Sequence, residues 1–317
     1  MKNSMIIYSD ELSVKWIDRL ADAKIGTLGI HLCGGDDPSR SMEQLVERTQ
    51  TEEYRVLIDY ARSRGLEIEY EAHACAYLLQ RDLFRSHPGY FRMDKNGERV
   101  GDCNLCGSNP EAVDLVAKRA AELAQMLYGS NQNFYFWFDD GLDLSCHCPQ
   151  CSKLSPSDQQ LLVLNRMIRE IRRYIPHARL AYLAYLDSII PPVSIKPEAG
   201  IFLEYAPFAK YTAKGPDAAA RIAWEREMIA PLLRTFAGEP GRVLEYWYDN
   251  SLFSGWKKPP KKFVPDIETM RADIAAYRRM GFDAISTFAC FLGEDYEALY
   301  GEVDITAYGD ALFSSSV

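Results

Sequence analysis

The sequence predicts a single (β/α)8 TIM barrel occupying residues 1–317 as one domain. Three observations predict it. Short β-branched or aromatic runs alternate with amphipathic helices along the whole chain, which implies parallel βαβ units. There are eight such runs, the number that closes a barrel. Several are near-continuous apolar stretches, as expected of parallel strands covered on both faces. A doubly wound open sheet is the alternative. It is weaker because no G-x-G-x-x-G follows the first run.

In chain order the expected strands are Met5–Tyr8, Gly26–Leu32, Leu66–Ala72, Phe134–Asp139, Leu180–Tyr185, Ile201–Tyr205, Val243–Tyr248 and Ala284–Phe288. The helices between them are well punctuated. Asn109 can cap the helix that Pro110 opens, and Val113, Val116, Ala120, Leu123 and Leu127 form one apolar stripe before Gly129. Ser155 to Asp158 is a capping-box start, followed by Leu161, Leu164, Ile168, Ile171 and Ile175 at spacings of three and four. Asp266 precedes Ile267, Met270, Ile274 and Tyr277, with Gly281 as the stop.

Composition narrows the function classes. Apolar residues make up 47% and charged residues 26%, the balance of a globular protein. The net charge is −9, and the one dense basic run, Lys257 to Lys262, reads as a solvated loop. A nucleic acid partner is not expected. Neither is a membrane partner, since no apolar stretch approaches ~18 residues. The start, MKNSMIIYSDELS, lacks a long apolar segment with a small-residue cleavage site. The expected location is the cytoplasm, and a homo-oligomer is compatible with all of this.

Polar residues at the C-terminal ends of barrel strands should line one shared pocket. Here these are His31, Glu71, His73, Asp139, Asp140, Glu204, Glu245 and Asp249. Acids in such apolar surroundings cost desolvation energy, so function is the simplest reason for most of them; one or two could form structural ion pairs. The sharpest carboxylate signal is Phe134-Tyr-Phe-Trp-Phe-Asp139-Asp140-Gly141. Adjacent carboxyls resist joint ionisation, and a carboxyl that keeps its proton near neutrality can serve as a general acid. The plainer alternative is an Asp-Asp-Gly turn without chemistry. Along Val243 to Asp249, Glu245, Trp247 and Asp249 fall on one face by period two. An acid–tryptophan–acid face suits a sugar: carboxylates hold hydroxyls and the indole packs on the ring. Alternatively, Glu245 neutralises a buried arginine, and Glu204 is ordinary strand-end packing.

These residues give an expected division of labour. Asp140 is the candidate acid, with Asp139 beside it tuning its pKa, and Glu245 and Asp249 are the candidate carboxyls on the facing strand. His31, His73, Glu71, Glu204, Trp247, Tyr248 and Asp249 contact sugar. Two carboxyls flanking a glycosidic bond perform its hydrolysis. A carbohydrate-binding protein without turnover is the rival reading, and hydrolysis by a metal-bound water is a third.

Cys146-His-Cys148-Pro-Gln-Cys151 follows the fourth strand, and Cys103-Asn-Leu-Cys106 lies in the loop after the third. Both loops open on the same barrel face, so four thiolates can meet around a tetrahedral Zn²⁺. Cys106 is the preferred fourth ligand. Cys103 is the alternative, and His147 could replace a thiolate. Free thiols or a disulfide are the alternatives to zinc. A closed four-cysteine site would be structural.

Phe138-Asp-Asp-Gly141, the cysteine motif Cys146 to Cys151 and Ser155-Pro-Ser-Asp158 together resemble the family called domain of unknown function 4838, whose members are held to be glycoside hydrolase barrels. The resemblance runs from about Asn104–Pro110 to the eighth strand. Single points are similar to two further families. Family 42 β-galactosidases bind zinc through such a motif plus one earlier cysteine, which implies Cys106, Cys146, Cys148 and Cys151 here. They carry Asn-Glu where this chain has Asp139-Asp140, and their strand-seven nucleophile falls on Glu245 or Asp249. Family 20 β-hexosaminidases end strand four with Asp-Glu, which implies substrate support by Asp139 and acid catalysis by the shorter Asp140.

Overall fold

The computed structural model describes residues 2–33, 38–127 and 129–313. Eight parallel strands close into a barrel in chain order. They are β1 (Ser4–Tyr8), β2 (Thr27–His31), β3 (Glu67–His73), β4 (Asn133–Trp137), β5 (Arg179–Ala184), β6 (Ile201–Tyr205), β7 (Arg242–Glu245) and β8 (Ala284–Phe288). Closure comes from β8 pairing with β1 through Ser4↔Ser286, Met5↔Thr287 and Ile6↔Phe288.

All eight expected runs are strands, but β4 and β7 stop early. The reason is plain for β7. The Asp249 N–H donates to the Tyr246 carbonyl at 3.1 Å and Asn250 N–H to the Tyr248 carbonyl at 2.9 Å, so the chain turns at once. The expected caps are present. Asn109 accepts from Ala112 N–H at 3.1 Å, Ser155 from Asp158 N–H at 3.0 Å and Asp266 from Thr269 N–H at 3.0 Å. Gly281 ends the helix Ile267–Met280 in the left-handed region, φ +99°, as a helix stop requires. The helices Pro110–Met126 and Pro156–Ile171 pack on each other. Each begins just after a cysteine-bearing loop, so their packing fixes how those loops approach. No helix among the described residues is long and apolar enough to cross a membrane.

Side chains alternate strictly between two layers. Met5, Ile7, Leu28, Ile30, Ile68, Val243 and Ile285 face the helices and form the larger core. Ile6, Tyr8, Tyr135, Trp137, Leu183, Phe202, Leu244 and Phe288 fill the barrel itself.

The lower barrel holds an ion network. The Arg242 guanidinium is 1% exposed and pairs with Glu69 (3.0 Å), Glu71 and Glu204 (Nε–Oε1 3.0 Å) while lying 4.0 Å over the Tyr135 ring. The Tyr135 hydroxyl donates to Glu69 at 3.0 Å and the Trp137 indole N–H to Glu204 at 2.7 Å. One cation faces three carboxylates. Burial, with Glu204 and Glu69 adding to it, pushes Glu71 up to about 8 despite Arg242. Gly29 is part of this packing, because a Cβ there would sit 2.7 Å from Ile6 Cγ1 and 2.8 Å from Glu71 Oε1.

Candidate active site

The C-terminal mouth of the barrel holds a cleft of about 630 Å³. Its floor is aromatic: Trp137 from β4, Phe288 from β8, Tyr8 from β1 and Tyr246 just past β7. His31 and His73 line it at the ends of β2 and β3, their rings 6.1 Å apart, with Trp137 5.7 Å from His31 and 5.2 Å from His73. The His31 Nδ1 lies 3.0 Å from the Leu32 carbonyl and the His73 Nδ1 2.5 Å from the Phe138 carbonyl. A carbonyl can only accept, so each Nδ1 carries a proton, which in a neutral ring leaves Nε2 to accept. Burial, reinforced by His73, pushes His31 down to about 3. It is therefore a neutral acceptor at physiological pH, suited to a hydroxyl.

Two carboxylates line the cleft, Asp140 after β4 and Asp249 after β7. Asp140 is exposed and lies against the Tyr185 phenol, whose pKa is pushed up by burial and by the Asp140 charge. Asp249 is 9% exposed. It accepts from the Ser251 hydroxyl at 2.5 Å and from Leu252 N–H at 3.1 Å, and Tyr8 donates to Ser251 at 3.2 Å. Burial pushes the Asp249 carboxyl up, although those hydrogen bonds oppose it.

Several expected site residues lie elsewhere. Glu71 and Glu204 belong to the Arg242 network beneath the floor and are fully buried; Trp137 seals Glu204 from the cleft. They complete the Arg242 network and line no part of the cleft. Glu245 points out of the barrel, because Arg242, Leu244 and Tyr246 take the inward phase of β7. Its carboxylate is held by Lys210, by Tyr211 at 2.8 Å and by Tyr277 at 2.6 Å. It cannot reach a sugar in the cleft. Trp247 also faces outward, its indole N–H 3.3 Å from Asp273. Tyr248 is fully buried and donates to the Asp304 carbonyl at 3.3 Å. The turn after Glu245 breaks the two-residue period, which is why Asp249 enters the cleft while Glu245 does not.

Asp139 and Asp140 also part company. Asp139 turns away from the cleft to Arg81 at 2.5 Å, Ala76 N–H at 3.1 Å and Asn104 N–H at 2.6 Å. Asn104 returns the contact: its side-chain oxygen accepts from Asp139 N–H at 2.9 Å and its amide donates to the Leu144 carbonyl at 3.2 Å. Its φ of +48° is a conformation asparagine tolerates better than most residues. Asp139 thus clasps the loops after β3 and β4 together rather than forming an acid dyad with Asp140.

Behind this clasp the thiols of Cys106, Cys146, Cys148 and Cys151 converge, buried and within 4.8 Å of one another. None is in a disulfide. Cys106 Sγ lies 3.7 Å from Cys148 Sγ and 4.0 Å from Cys151 Sγ. Four sulfurs at ~2.3 Å from a tetrahedral Zn²⁺ would be ~3.8 Å apart. Backbone N–H groups of Met93 and Cys151 point at Cys146 and Cys148 sulfurs at 3.3 and 3.5 Å, which stabilises thiolate charge. The donor set fits a metal ion. Cys103 stands outside it beside Asp102, and His147 turns to Asp143 at 3.4 Å.

Sequence reasoning missed Tyr185, Tyr246, Phe208 and Trp256, all of which line the cleft. Tyr246 was open to discovery: a charged Arg242 inside an apolar strand must face the interior acids, which fixes the phase of β7.

The family model described as Domain of unknown function (DUF4838) matches residues 39–224. No curated protein matches the chain in sequence. Among solved structures, a glycoside hydrolase family 5 enzyme from Prevotella bryantii in complex with a xyloglucan tetradecasaccharide superposes with TM-score 0.54 at 11% identity, over 95% of this chain and 87% of that one. A β-galactosidase from a Rahnella species gives 0.56 at 13%, over 98% and 55%. A GH20 module of a pneumococcal exo-β-D-N-acetylglucosaminidase gives 0.50 at 11%, over 98% and 82%. At such identities the likeness is one of fold.

Proposed function

The chain belongs to the DUF4838 family, and on that footing we propose that it is a glycoside hydrolase working through Asp140 and Asp249. The observation that carries this reading is the pairing of these two carboxylates in one aromatic-floored cleft at the C-terminal mouth of the barrel. Asp140 donates a proton to the leaving oxygen. Asp249, from the opposite side of the barrel order, acts on the anomeric carbon directly or through water. His31 and His73 accept sugar hydroxyls, and Trp137 underlies the ring. The glycoside hydrolases that share the fold support the reaction class.

Cys106, Cys146, Cys148 and Cys151 would hold Zn²⁺ as four thiolates. Zn²⁺ bound there supplies a cross-link between the loops that carry Asn104 and Asp140. Because all four donors come from the chain and are buried, the site is closed, which argues against hydrolysis by a metal-bound water.

The test is a panel of nitrophenyl glycosides of both anomers with wild type, Asp140→Asn and Asp249→Asn. Wild type is expected to turn over one sugar. Asp140→Asn should lose ~10²–10⁴-fold in kcat on substrates with poor leaving groups and much less on nitrophenyl leaving groups. Equal activity of Asp140→Asn and wild type on a poor leaving group overturns the assignment. Ligand binding with no turnover by any variant would favour a carbohydrate-binding protein.

A further inference from the structure

The cleft is the inner end of a longer groove. It shares Asp140, Tyr185, Phe208 and Trp256 with a depression of about 1120 Å³, which in turn shares Leu142, Leu186, Asp217 and Arg221 with one of about 1630 Å³. The groove therefore runs outward from the barrel mouth across the loops after β4 and β5 to the helix Ala218–Glu227. The inner cleft is much the smallest of the three spaces. The two outer depressions hold most of the groove's volume.

The tryptophans point to an occupant. Trp16, Trp137 and Trp247 are buried, whereas Trp256 is 62% exposed and Trp224 40% exposed, and both line the groove. Trp256 stands beside Asp140, Trp224 at the far end. Leu142 and Ile190, also exposed, lie between and beyond them. Large apolar side chains gathered on one open feature mark a binding surface, and flat indoles spaced along a channel suit a repeating ligand with an apolar face on each unit. The charges are mixed: Lys95, Lys214 and Arg221 stand among four carboxylates. Such a balance creates no single-sign field to recruit a polyanion.

We propose that the ligand is a neutral oligosaccharide or polysaccharide chain lying along this groove, with Trp256 and Trp224 stacking on sugar units away from the bond that is cleaved. This rests on the glycosidase reading only for the reacting end; the groove's occupancy is a separate matter of binding.

Calorimetric titration of the full Asp140→Asn chain tests it. The probes are gluco-, xylo-, manno-, galacto- and N-acetylated chito-oligosaccharides of two to six units, with polygalacturonate as the anionic comparison. One neutral series should tighten roughly tenfold in Kd between two and six units. In the Asp140→Asn/Trp224→Ala chain most of that gain should vanish, with a far smaller change for the two-unit ligand. A length-independent Kd, a gain that survives Trp224→Ala, absence of binding by every neutral series, or tighter binding of polygalacturonate overturns the proposal. Length-dependent binding of a chain that wild type never cleaves would leave the groove assignment standing and sink the glycosidase reading instead.

Discussion

At the residue scale, position along a strand matters less than phase. Glu245 and Arg242 belong to the same four-residue strand, yet one faces the helices and the other the barrel axis. Glu245 is a structural anion, so its removal should act on stability rather than turnover. Glu245→Ala leaves Lys210 with Asp273 alone and strips the Tyr211 and Tyr277 hydroxyls of their acceptor, and should cost ~2–4 kcal/mol, read as a lower urea midpoint, while kcat of the folded fraction stays near wild type. A kcat collapse with unchanged stability would restore it to the chemistry. Alternation could be read from the sequence, but the strand's end could not. The turn that carries Asp249 into the cleft depends on hydrogen bonds made after the strand has stopped.

At the element scale, two devices tie the loop that carries Asp140 to the loop after β3. The cysteine spacing was legible because three of the four cysteines sit within six residues and the fourth lies just before the cap of the helix Pro110–Met126. The Asn104–Asp139 clasp was not, since its partners are 35 positions apart and nothing local marks either as the other's counterpart. The two devices should be separable. Cys106→Ser should lose the bound metal, about one Zn²⁺ per chain in wild type, and lower Tm, with faster proteolysis near residues 100–110 and 140–150. Asn104→Ala should keep the metal, measured by elemental analysis, and lower kcat through misplaced Asp140. Metal retained in Cys106→Ser, or lost in Asn104→Ala, would contradict this division.

At the scale of the whole molecule, the barrel and its eight strands were readable because β-branched and aromatic runs between capped helices admit few other solutions. The groove was not, because it is assembled from loops after five different strands. Buried carboxyls give the molecule a further global property. Burial pushes Glu11 up to about 8, with Asp10 adding to it, and Glu71 likewise to about 8. The folded state then holds protons that the unfolded chain has released above ~4.5. Their contribution is complete below that value and fades as pH rises toward 8. His31, pushed down to about 3, works in the opposite sense, but only between ~3 and 6.5. Stability should therefore fall from pH 6.5 to 8, by ~1.4 kcal/mol per pH unit for each proton retained. Glu71→Gln should flatten that slope by one proton in urea titrations at successive pH values; an unchanged slope would show that Glu71 is ionised throughout.

The Trp137 floor divides the barrel interior into a sealed ionic chamber below and an open aromatic basin above. The two compartments answer to different selective pressures. Substitutions around the chamber are filtered by folding, whereas those at the exposed Trp224 or Trp256 touch no buried charge in that chamber and act on the groove surface instead. Such a partition lets descendants of one stable scaffold diverge in what they recognise without first having to be restabilised, and it predicts that tolerance to random mutation should change abruptly at the depth of a single indole.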